Sequence, residues 1–255
     1  MTMNICVFDT ETIDKTKMFC YNVGYIIADT DTGHILLERD FVVEQHWHNL
    51  ALFATAYYAE KRQLYIDSLR ARRSTMDKWG YIMRTMARDL REYNVECAYA
   101  YNSPFDDRVF TFNCDWFKTN NPLENIPIYD IRGMVHQIVA YDKNFFTYCE
   151  EHQQFTESGH YSTTAETIYG YITENPDFKE EHTALADAHI EYDMVLWAMS
   201  KGMKVGVDYP VFRSLPREKI IPYKIKVDGK IIHEGEYTKK YIREGLFSFT
   251  SPCRD

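Results

Sequence analysis

The sequence predicts an α/β fold. Five short apolar runs read as strands, and the first three follow one another closely enough to form an antiparallel meander. Amphipathic stretches of helical period separate the later runs, the alternation expected when helices cover a sheet. A hairpin signal closes the chain: Asp228-Gly229 lies between Tyr223 to Val227 and Lys230 to Tyr237.

Asn4 to Phe8 is an apolar run ending in an acid, as a central strand would be. Tyr21 to Ala28 and Ile35 to Val43 are the next two strands, joined by the turn-rich Asp29-Thr30-Asp31-Thr32-Gly33. Leu50 to Arg91 reads as helical, with Trp79, Ile82, Met83, Met86 and Leu90 at helical spacing. Its basic residues, Lys61, Arg62, Arg70 and Arg88 among them, are diluted by acids. A solvated helical face is the plain reading, and a strip that tracks phosphates is the sharper one. Val95 to Tyr101 is a fourth strand, Asp106 to Phe117 a helix, and Ile126 to Tyr129 a short fifth strand. Helical stretches follow through Tyr148, from Thr163 to Thr173, and from Thr183 to Ser200, where Gly202 is placed to end the last. Pro210, Pro216 and Pro222 then punctuate a linker. Residues 1–206 are therefore expected as one domain with a helical insertion at about 49–93, and 207–255 as a C-terminal extension with the hairpin.

Bulk properties exclude several classes. With 255 residues and 45% hydrophobic content the chain can bury a full core. A net charge of −9 argues against a general nucleic-acid coat, although bound metals can draw an acidic protein to phosphate. None of the six cysteines forms a C-x-x-C pair, so neither a zinc knuckle nor a redox motif is visible. Met1-Thr2-Met3-Asn4 lacks the basic and apolar regions of a secretory signal, and no apolar run reaches the ~20 residues that span a bilayer. A cytoplasmic protein without a membrane partner is expected.

Three distant acidic segments carry the chemistry. In Val7-Phe8-Asp9-Thr10-Glu11-Thr12, side chains two apart on a strand share a side, so Asp9 and Glu11 repel unless a cation lies between them. In Tyr101-Asn102-Ser103-Pro104-Phe105-Asp106 an acid follows a strand and opens a helix. Capping is an alternative role for it, and Asp107 competes with Asp106. In His182-Thr183-Ala184-Leu185-Ala186-Asp187 an imidazole precedes a helix that carries an acid in its first turns. Four carboxylates and one imidazole suit two divalent metals and an activated water. His46 and His48 lack a third zinc ligand nearby and read as structural or solvated.

The order, flanking residues and spacing of these segments resemble the DEDDh family of 3'→5' exonucleases, and more narrowly a branch often encoded by bacteriophages. The branch likeness includes Tyr161 to Glu166 and Phe178 to Asp187. The resemblance implies an RNase H-like mixed five-stranded sheet, three antiparallel strands then parallel ones, flanked by helices. It implies two Mg²⁺ or Mn²⁺, with Asp9, Glu11 and Asp187 holding one, and Asp9 bridging to a second that Asp106 assists through water. His182 is the implied general base. Thr10 and Thr12 would seat the 3'-terminal nucleotide, Ile13 or Phe105 would pack on its base, and Asn102 belongs to the same substrate-binding motif. The implied substrate is single-stranded nucleic acid, DNA or RNA, cut to nucleoside 5'-monophosphates in the host cytoplasm if the gene is a phage's. Related exonucleases are often dimers, so a homodimer stays open. Two other classes compete: a non-catalytic binding module, which would lack a metal ligand, and a structure-specific endonuclease, which the His182–Asp187 spacing disfavours.

Overall fold

The computed structural model describes residues 3–14, 16, 18–56, 58–212, 215–216, 219–227, 230–241 and 247–250, with the backbone alone beyond residue 215. Elements β1 (Asn4–Thr12), β2 (Cys20–Asp29) and β3 (Ile35–Val43) form the expected meander. Next come α1 (Glu44–Trp47), α2 (Leu50–Phe53), α3 (Arg62–Arg70), β4 (Thr75–Asp77) and α4 (Trp79–Glu92). They lead to β5 (Val95–Ala100), α5 (Ser103–Phe117), β6 (Ile128–Asp130) and α6 (Ile131–Val139). Then come α7 (Lys143–Glu151), β7 (His160–Tyr161), α8 (Ala165–Ile172) and α9 (Ala184–Ser200). The strands β8 (Leu215–Pro216), β9 (Lys219–Val227), β10 (Lys230–Tyr241) and β11 (Phe247–Thr250) follow.

The described chain falls into two units. The first comprises Met1–Asp142 and Thr164–Val211, the second Lys143–Thr163 and Phe212–Asp255. Within the second, β9 and β10 pair antiparallel across Val227 and Lys230, and β11 adds to β10. The Asp228-Gly229 tip lies outside the described residues.

The first unit holds a six-stranded mixed sheet in the order β4-β3-β2-β1-β5-β6. β1, β2 and β3 are antiparallel, while β5 and β6 continue parallel to β1. The expected five strands become six because Thr75–Asp77, inside the stretch read as continuous helix, pairs parallel with Phe41–Val43. That stretch is instead two short helices, a 3₁₀ turn at Ala59–Lys61, β4 and then α4. The fifth strand begins two residues later than expected, at Ile128.

One core gathers Cys6 and Phe8 of β1, Val23, Tyr25 and Ile27 of β2, and the apolar faces of α4 and α5. Alternation turns Ile5, Val7, Asp9 and Glu11 to the opposite side of β1, where α9 packs. β1 is buried along its centre because strands flank it on both edges, which explains its unbroken apolar run.

Two β2 residues fix where α9 begins. Gly24 stands opposite Asp9 and Asn22 opposite Glu11. The fully buried Asn22 accepts from the Ala184 N–H at 2.8 Å, capping a helix whose own Thr183 makes no side-chain cap. A Cβ at Gly24 would stand 2.1 Å from Leu185 N and 2.2 Å from Ala184 C. Those neighbours are helix backbone and cannot turn aside. Gly24→Ala is expected to destabilise the fold by about 1–3 kcal/mol or more through overpacking, read as a lowered urea midpoint. A midpoint equal to the parent's would show that α9 can lift off β2 at no cost.

Candidate active site

β1 and β5 run parallel, and their pairing ends at Val7 opposite Tyr99. β1 continues to Thr12 carrying Asp9 and Glu11, while β5 ends at Ala100 and gives way to α5. The crevice beyond the carboxyl ends of parallel strands is where open α/β sheets place ligands. Asp106 lies in the first turn of α5 and Asp187 in the first turn of α9, where the helix dipole favours a carboxylate.

The four acids meet here. Asp9 keeps some solvent contact, yet burial leads in pushing its carboxyl well up, followed by the charges of Asp106, Glu191, Asp187 and Glu11. Glu11, 8% exposed, is pushed up by burial and by Asp187, with Lys61 opposing. Asp106, 2% exposed, is raised to about 7 by burial despite the Thr10 hydroxyl donating to its Oδ1 at 2.6 Å. Asp187, 8% exposed, is raised to about 8 by burial and then Glu180. The Asp106 carboxylate accepts from the Thr10 hydroxyl and N–H and also from its own N–H in the first turn of α5, while the Asn102 side chain makes no cap bond. Asp107 is exposed.

His182 has the left-handed backbone angle φ 52°, uncommon for a residue with a Cβ. Its carbonyl accepts from Tyr65 Oη at 3.4 Å. The ring stacks on Tyr58 with centroids 4.3 Å apart and planes 17° from parallel. Nε2 meets Tyr58 Oη at 3.1 Å, and Nδ1 lies 3.5 Å from Glu180 Oε2. Burial, then Lys61, lowers the imidazole's affinity for a proton, so it is neutral at pH 7. Lys61 is anchored by donating to the Glu181 carbonyl.

Among the described residues, two sets of ligand-type side chains have atoms within 4.8 Å of one another: Glu11, His182 and Asp187, and Glu166, Glu180 and His182. In the second set the largely exposed Lys179 pairs with Glu166 at 3.4 Å, yet burial and the Glu166 charge still raise Glu180 to about 7. The first has an orphan oxygen, Asp187 Oδ1, buried without a hydrogen-bond partner. A buried carboxylate left unpaired costs about 1–3 kcal/mol or more. The donor set, hard oxygens with one imidazole, fits Mg²⁺ or Mn²⁺.

The substrate-side expectations divide. Thr10 and Thr12 are buried in β1, with Thr10 bonded to Asp106. Asn102 is exposed and its N–H donates to Asp130. Phe105 is half-buried against the main core. Ile13 cannot pack on a base as it stands: it is 0% exposed, in a second core with Tyr21, Val42, Trp47, Phe53 and Tyr65. Three contributors went unread in the sequence. Glu191 lies on α9 beyond the His182–Asp187 segment, with no motif to mark it. Tyr58 and Lys61 come from the segment between α2 and α3, whose basic tract gave no signal of which cation turns inward. His46 is structural, its Nδ1 2.6 Å from the Cys20 carbonyl.

No family model matches the chain, and no curated protein matches it. Among solved structures it is similar to E. coli Exonuclease I. The complex with a dA16 oligonucleotide aligns with a TM-score of 0.50 and 15% identity over 78% of this chain and 41% of that one. The structure titled as suggesting how processivity is achieved gives the same values. The SSB/Exonuclease I structure with inhibitor CFAM aligns at 0.50 and 14%, over 78% of this chain and 42% of that one. The chain thus spans about two fifths of these proteins' length. The likeness shows a shared fold, consistent with an RNase H-like mixed sheet. No described helix is long and apolar enough to cross a membrane.

The raised carboxyls set a pH dependence. Unfolded Asp titrates near pH 3.9, whereas folded Asp106 and Asp187 titrate near 7 and 8. The folded chain then holds more protons over that span, so stability falls as pH rises and levels off above the folded values. Melting in EDTA from pH 7 to 9, above the histidine range, is expected to show a falling Tm. Asp187→Asn should flatten that slope, and a Tm that climbs with pH would refute the raised carboxyls.

Proposed function

We propose that the protein is a divalent-metal-dependent 3'→5' exonuclease acting on single-stranded nucleic acid. The observation that carries this reading is the meeting of Asp9, Glu11, Asp106 and Asp187 in one crevice with His182 beside them. The fold shared with E. coli Exonuclease I, whose solved structures include an oligonucleotide complex, supports it.

Asp9, Glu11 and Asp187 would hold one cation, and Asp9 with Asp106 a second. When bound, the cations neutralise charge on the attacking and leaving oxygens of the phosphodiester. The protein's own part is positional. Thr10 holds the Asp106 carboxylate by its Oδ1. The α9 dipole steadies Asp187. His182, neutral and partly desolvated, takes the proton of the attacking water. Tyr58 and Glu180 fix the ring on two sides, as a third group orients the base in nucleophile–base pairs. The product is a nucleoside 5'-monophosphate.

Asp9→Ala is expected to abolish hydrolysis while far-UV circular dichroism stays parental. The assay uses Mn²⁺ with matched 5'-labelled DNA and RNA oligonucleotides, whose ladders also report polarity and sugar preference. A closed circular single strand should survive intact, and normal turnover by Asp9→Ala would contradict the assignment. His182→Ala should lower kcat by about 10²-fold or more with a smaller change in Mn²⁺ affinity. Equal losses would make His182 a direct ligand.

A further inference from the structure

Glu191 lies one helical turn beyond Asp187 on the same face of α9. It is 4% exposed. Its carboxylate accepts from the Tyr101 backbone N–H, yet Oε2 is buried without a hydrogen-bond partner. Among neighbouring acids it is acted on most by Asp106 and then by Asp187. Its charge in turn raises the carboxyl of Asp9, after that of Asp106 and ahead of Asp187 and Glu11. The charge of Lys61 is felt at Glu11 and Asp187.

The same protein shows what a buried acid kept for structure looks like. Asp89, 1% exposed, accepts from Tyr25 at 2.9 Å, Arg39 at 3.1 Å and Arg88 at 2.8 Å. Among the described residues no lysine or arginine pairs with Glu191. An orphan carboxylate oxygen set beside two other acids is arranged for a positive charge from outside the chain.

We propose that Glu191 is a further ligand of the divalent cation that the proposed function places between Asp9 and Asp106, on which this inference rests. Asp106 has Oδ1 occupied by Thr10, so that position is short of protein oxygens. Mg²⁺ and Mn²⁺ take about six hard ligands, and Glu191 supplies one directly. Among the described residues the ligand oxygens of Asp9, Asp106 and Glu191 do not all lie within 4.8 Å of one another, so a bound cation would draw them together.

The test is Mn²⁺ titration of the full chain by electron paramagnetic resonance, without nucleic acid, for the parent, Glu191→Gln and Asp9→Ala. The parent is expected to bind two ions. Glu191→Gln should weaken the second at least tenfold and leave the first within twofold. Both sites within twofold of the parent in Glu191→Gln would overturn the proposal. Asp9→Ala separates the failures: loss of Mn²⁺ there with Glu191→Gln unaffected sinks only the role of Glu191, while no loss in either sinks the metal site itself. Melting in EDTA checks that the variants fold. If Glu191→Gln unfolds, Glu191→Asp keeps the charge with a shorter reach: a weakened second site is expected, and an unchanged one overturns the proposal.

Discussion

The docking of the first turn of α9 on β2 is the constraint on which the rest depends. Asn22 and Gly24 face the helix from alternate positions of one strand, opposite Glu11 and Asp9. One closes a hydrogen bond at the helix start, and the other removes the side chain that would hold the helix away. Backbone contact at this closeness sets where Asp187, Glu191 and the His182 loop lie relative to β1. Side-chain packing alone, with its rotamer freedom, does not locate a carboxylate that well.

That precision has an electrostatic cost. When both are ionised, Glu11 and Asp187 oxygens within 4.8 Å repel by roughly 3.5 kcal/mol or more at an effective dielectric of about 20. Asp9, Asp106 and Glu191 add to it, and the cation felt inside the cluster is Lys61. The fold tolerates this by holding protons on its carboxyls or by accepting metal. Asp89 shows that the same sheet can satisfy a buried acid completely when paired arginines are supplied. The contrast separates an acid that stabilises from acids held ready for an ion.

Much of the site was legible because strand alternation and helix starts translate directly into geometry. Asp9 and Glu11 two apart, and an acid opening each of two helices, place four carboxylates at one sheet end once the sheet order is known. Burial distinguishes Asp106 from Asp107, which adjacency alone could not. Illegible residues share a cause: their role depends on partners remote in sequence. Glu191 lies one turn past Asp187, outside any of the three acidic segments, and only its neighbours across the helix face make it part of the site. The family resemblance implied a substrate contact for Ile13; the turn of the chain after Thr12 instead buries it among aromatic rings. Thr75–Asp77 is too short to show strand periodicity and exists because β3 offers an edge.

The positive charge of the segment between β3 and α4 suggested a phosphate strip. Arg62 spends its charge on the rings of Trp47 and Phe53, at 4.5 and 5.7 Å. Lys61 lies 4.5 Å from the Tyr58 ring and bonds the carbonyl just before His182. Tyr58, Lys61 and Tyr65 all converge on the residues flanking the imidazole. A left-handed residue ahead of a helix has little backbone support of its own. The segment before α4 supplies that support, so its chemistry is the placement of His182 and the partial compensation of Asp187.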